Sequence, residues 1–116
     1  MTSSAFDVPD ALGRLMNNKN LYKKLLDKFG AGYAGYEEKV SAAFGGENFD
    51  EAVHLSHTMK GLAGNLGATA LQEASLALEV IAKGGNKTPE LDAALEKFTY
   101  EFRRAMDEVK SGVDMD

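Results

Sequence analysis

Residues 54–68 read HLSHTMKGLAGNLGA. Leu55, Met59, Leu62 and Leu66 recur three or four positions apart, the spacing of one helix face. The same stretch carries Gly61, Gly64 and Gly67, although glycine inside a helix costs about 1 kcal/mol relative to alanine. Gly67 suits a left-handed residue just past a helix end. Gly61 and Gly64 need another reason. At about 100° per residue, the four apolar side chains point away from His57. His57, Lys60, Gly61 and Gly64 are then placed on the outward face, with Gly67 toward its edge. Glycines beyond the histidine would clear that face for the close approach of another protein's backbone. Close packing within the domain is the competing reading, and the wheel argues against it for Gly61 and Gly64.

Outward from this stretch, a helical reading continues. Asn48 with Glu51 forms a capping box that starts the helix containing His57. Thr69 with Gln72 forms a second one. Leu71, Ala74, Ser75, Leu78, Ile81 and Ala82 mark the buried stripe after it. KGGNK is a loop, and Thr88 with Pro89 opens the last helix. Its stripe is Leu91, Ala94, Leu95, Phe98, Phe102, Ala105 and Val109. Upstream, a short helix follows Pro9, and Leu21, Leu25, Leu26 and Phe29 share one side of the next. Gly30 and Gly32 interrupt, Tyr33, Tyr36, Val40 and Phe44 resume, and Gly45-Gly46 stops. No stretch alternates long enough for a strand. The expected fold is all-α, an antiparallel four-helix bundle with short N-terminal helices covering one end. One domain over residues 1–116 is expected, with its core in 9–110, a short disordered N-terminus and an acidic C-terminal tail.

The chain has 116 residues, 44% of them apolar, enough for one packed core. It has no cysteine, so disulfides and thiolate metal sites are excluded. A net charge of −5 with no basic cluster disfavours nucleic acid. No apolar run approaches the roughly 20 residues of a membrane span, and MTSSAFDVPD lacks the features of a signal peptide. A cytoplasmic monomer with polar outer faces is the expectation.

His57 and Lys60 stand one turn apart on the exposed face. Neutral imidazole is a nucleophile near physiological pH. A lysine ammonium beside it can hydrogen-bond a phosphoryl group placed on the ring. Phosphoryl transfer depends mostly on such positioning and charge neutralisation. Val53 and His54 share the face; His54 lacks a lysine three positions on. Glu51-Ala-Val-His54 has Glu-x-x-His spacing, but the second such motif of a di-iron bundle is missing, so no metal site is expected. GxxxxGK[ST] does not occur, and no nucleotide or autokinase site is expected.

At HTMKGLAGNLGA the chain resembles the histidine-containing phosphotransfer (HPt) domain of multistep two-component phosphorelays. His57, Lys60, Gly61, Gly64 and Gly67 match that family's His-x-x-Lys-Gly and the small residues after it. LALE, residues 76–79, resembles its next helix, where a polar residue faces the histidine; Glu79 holds that position. Arg14 and NLYKKLLDKF resemble its N-terminal part. The resemblance implies that His57 takes phosphate from an aspartate of one receiver domain and gives it to another. By family precedent the acceptor atom is Nε2. It also implies that the receiver of a response regulator or hybrid kinase brings the Mg²⁺, so that this chain needs no cofactor. It further implies a docking face that includes Val53, His54, Gly61, Gly64, Gly67 and Glu79, with Glu79 as a rim contact. A helical adaptor that binds receivers without transfer is the alternative; the presence of both His57 and Lys60 argues against it.

Overall fold

The computed structural model describes residues 4–115. Among them six helices follow in order: α1 (Val8–Arg14), α2 (Lys19–Gly32), α3 (Tyr36–Gly45), α4 (Phe49–Leu66), α5 (Thr69–Lys83) and α6 (Leu91–Ser111). No strand occurs among the described residues. The fold is a four-helix bundle. α4, α5 and α6 supply three arms; α2 and α3 share the fourth, both packing on α4 and α6. Two tyrosines set their levels: the Tyr22 hydroxyl donates to the Leu66 carbonyl and the Tyr36 hydroxyl to the Leu55 carbonyl, each at 2.7 Å. The chain thus runs along α4 from its C-terminal end toward its N-terminal end as it passes from α2 to α3. Phe29 of α2 and Tyr36 of α3 join these arms to Phe102 of α6 through ring contacts, each worth about 0.5–1.5 kcal/mol beyond burial. No helix among the described residues is long and apolar enough to cross a membrane.

The end of α4 fixes the turn into α5. A helix leaves its last carbonyls without partners of its own. Here the Ala68 amide donates to Ala63 at 2.8 Å and the Gly67 amide to Gly64 at 3.2 Å, the paired bonds of a Schellman turn. Gly67 takes the left-handed conformation this needs, with φ of 78°. Tyr22 satisfies Leu66, and the Asp7 amide donates to Gly67 at 2.7 Å. That last bond seats the start of α1 on this end of the bundle.

Several sequence expectations need correcting. Asn48 caps α4 as expected, accepting from the Glu51 amide at 3.2 Å. Thr69, however, lies inside α5, whose N-cap is Ala68; the Schellman turn runs straight into the next helix and leaves no room for a threonine cap. Thr88 does not cap α6 either. Its hydroxyl is buried with no hydrogen-bond partner, and α6 begins at Leu91 after a turn through Pro89 and Glu90. Gly30 and Gly32 continue α2 rather than interrupt it. A Cβ at Gly30 would stand 2.9 Å from Val109 Cγ1, so Gly30 lets α2 approach α6 closely. Tyr22 is fully buried where Leu21 was expected, because its hydroxyl has the Leu66 carbonyl to reach.

The core also extends past residues 9–110. Ala5 and Phe6 are buried in it, and Val113 and Met115 pack against it. The Glu108 carboxylate holds Ser4 by its hydroxyl and Ala5 by its amide. From Ser4 on, the start of the chain lies against the core; residues 1–3, at the expected disordered start, lie outside the described residues.

Candidate functional site

α4 and α5 run antiparallel with a register that Gly64 and Glu79 make visible. Gly64 lies against Gln72, and His57, seven residues back along α4, meets Glu79, seven residues on along α5. The buried side of α4 includes the fully buried Ala52, Ser56 and Ala63, while Leu62 is only half-buried. The core direction is turned by about 40° from the one the bulky side chains suggest. Small residues bring α5 close on that side, and this decides which groups can meet.

His57 stays on the surface, its side chain 66% exposed. Glu79 does not form a rim. It is buried, 2% exposed, and points at the α4–α5 seam. His57 Nδ1 lies 3.0 Å from Glu79 Oε2, Lys60 Nζ 2.7 Å from Oε1 and Lys83 Nζ 3.2 Å from Oε2. These donors hold the Glu79 carboxyl at about 2, below its ordinary 4.5, with the Lys60 hydrogen bond the largest cause; it outweighs burial, and Lys83 and His57 add to it. An ionised carboxylate can only accept hydrogen bonds. The ring nitrogen facing it must therefore carry the hydrogen, so His57 Nδ1–H donates to Glu79. In a neutral imidazole that leaves Nε2 with its lone pair free, on the exposed side chain.

Lys60 is half-buried, and its ammonium is held by Glu79. Glu79 thus ties together the two residues singled out on α4. Lys83 completes the cluster and is the one that sequence reasoning missed; its signal was the Glu79–Lys83 spacing of one helical turn. Gly61 is exposed, and a Cβ there would meet nothing within 4 Å. Gly64 is not part of that open surface. It is buried, and a Cβ would stand 2.7 Å from Gln72 Nε2. Gly67 is also covered: a Cβ would stand 2.6 Å from the Asp7 carbonyl. Gly67 thus answers to close backbone packing and to its left-handed φ, while Gly64 faces the movable end of the Gln72 side chain inside the domain. Val53 is half-buried at the edge of the core, and His54 is exposed. Leu76 and Val80 stand exposed on α5. Among the described residues, no group of three or more metal-ligating side chains gathers.

Residues 24–112 match the family model of the Hpt domain. No curated protein sequence matches the chain significantly. Among solved structures, the histidine-containing phosphotransfer protein B (HptB) of Pseudomonas aeruginosa PAO1 is similar, with a TM-score of 0.78 and 23% identity over 95% of each chain. At that identity the likeness speaks for the fold, the same helical bundle; the family match covers most of the chain and speaks for more. The chain belongs to the Hpt domain family and is a histidine phosphotransfer protein of phosphorelays.

Proposed function

We propose that His57 Nε2 is the atom that carries the phosphoryl group, between aspartates of receiver domains. The observation behind this is the exposed imidazole whose other nitrogen is bound to a buried, ionised carboxylate. Glu79 fixes both the tautomer and the ring direction, so the nucleophilic lone pair is set before a partner arrives. The Lys60 ammonium has three donors and can hold Glu79 and a phosphoryl oxygen together. Gly61 leaves the approach beside His57 open. His54, Val53, Leu76 and Val80 surround that approach and offer a partner polar and apolar contacts. Gly64 and Gly67 are assigned to packing instead.

The chain acts as a carrier: phosphate arrives on one receiver and leaves on another, and the receiver supplies the Mg²⁺. No nucleotide is used by the chain itself. A monomer working in the cytoplasm fits this role. The test is transfer of labelled phosphate from phosphorylated receivers to wild type, His54→Gln and His57→Gln. Label should appear on wild type and on His54→Gln, be lost in acid and survive base. Label on His57→Gln at the wild-type level would refute the assignment.

A further inference from the structure

We infer that Glu79 keeps the Nδ1 proton on the imidazole through the phosphorylated state, so that the carrier cycles without exchanging a proton. The inference rests on His57 being the phosphoryl-carrying residue and concerns what the buried carboxylate then does. In the forward step the Nε2 lone pair attacks phosphorus of a receiver's aspartyl phosphate. The Nε2–P bond forms, the P–O bond breaks, and its electron pair leaves with the aspartate carboxylate. The ring now bears Nδ1–H and Nε2–P and is an imidazolium. In the onward step another aspartate carboxylate attacks phosphorus, the Nε2–P bond breaks, and its pair returns to Nε2. The leaving group is neutral imidazole, provided that Nδ1 has kept its proton. Without that proton the leaving group is an imidazolate, which departs far less readily.

The arrangement around Glu79 favours the protonated ring. Glu79 Oε2 accepts from Nδ1 at 3.0 Å, and the carboxylate is buried. From α4 it is faced by His57 and Lys60, and from its own helix by Lys83. The ammoniums stabilise the carboxylate as an anion, so it does not take the ring proton for itself. The charges also close. The ring's positive charge and those of two lysines meet the carboxylate's negative charge and the phosphoryl dianion, leaving the phosphorylated cluster neutral. An amide in place of Glu79 would leave an unmatched positive charge, and the cheapest relief is loss of the Nδ1 proton. The outcome is a phosphohistidine held in its labile, readily donated form rather than a stored one.

The test uses the full chain phosphorylated with phosphoramidate, with isotopically labelled histidine, in wild type and Glu79→Gln. Removing a carboxylate at hydrogen-bonding distance moves a protonation equilibrium by about one to three powers of ten. At mildly alkaline pH the phosphohistidine of Glu79→Gln should therefore survive about ten-fold longer or more, and nitrogen NMR should show its Nδ1 losing the proton at lower pH. Lys60 and Lys83 both reach the surface, so the variant should fold. Wild type alone gives a second reading: folded phosphohistidine should keep the Nδ1 proton to higher pH than the same protein phosphorylated and unfolded. Label on His57 with equal lifetimes and coincident titrations would overturn the inference and leave the carrier role standing. Label absent from His57 would overturn both.

Discussion

At the scale of single residues, the site depends on which ring nitrogen is left bare, and Glu79 decides that. His57→Gln should fold like wild type and accept no phosphate, which thermal melting and receiver transfer would check together. Lys60→Ala should slow transfer by about a hundred- to a thousand-fold, the order of effect of removing one aimed donor from a reacting oxyanion; unchanged rates would exclude the lysine from the chemistry. Tyr22 tests packing instead. Its hydroxyl ties α2 to the last carbonyl of α4, so Tyr22→Phe should lower stability by about 1–2 kcal/mol in denaturant titrations.

At the scale of elements, the α4–α5 pair sets the site, and its glycines play different parts. Gly67 combines a φ of 78° with the Asp7 carbonyl 2.6 Å from where a Cβ would stand. Gly67→Ala should cost about 2 kcal/mol or more, from the left-handed strain and the displaced N-terminal segment. Gly61 lies in open space. Gly61→Ala should hold or raise stability, by up to about 1 kcal/mol, while Gly61→Leu should weaken receiver binding, measurable by titration calorimetry. A loss of stability in Gly61→Ala would mean that the open face is misread. Gly64→Ala meets only the end of the Gln72 side chain, which can turn aside.

At the scale of the whole molecule, pH dependence follows from buried ionisable groups on opposite sides of neutrality. Glu79 is held at about 2 against 4.5. A depressed carboxyl contributes stability that is fully present above its unfolded value and is lost as pH falls through the folded one. Burial, then the Glu108 and Asp7 charges, push Tyr22 up to about 12 from 10.0. Burial, then Tyr33 and Glu51, do the same for Tyr36. Their contribution is present below the unfolded value of 10.0 and is lost as pH rises toward about 12. Denaturant midpoints should therefore be nearly flat across neutral pH and fall at both ends. Glu79→Gln should flatten the acid limb and Tyr22→Phe the alkaline one; an acid limb unchanged in Glu79→Gln would show that other carboxyls account for it.

The helices, the bundle, the exposed histidine with its lysine and the glycine that ends α4 were all legible in the residues alone. Each of these is local: periodicity, a cap, or a motif read within a few turns. The parts played by Glu79, Gly64 and Lys83 emerge from the packing of α4 against α5. The wheel took the bulky side chains as the core direction and put Gly64 outside. The real direction also depends on how closely α5 approaches over Ala52, Ser56 and Ala63, and one helix's periodicity does not contain that distance. Burial of Glu79 likewise needs cations from two helices to arrive at one carboxylate. A side chain so charged reads as surface until its partners are placed, because a buried charge is tolerated only when it is paired.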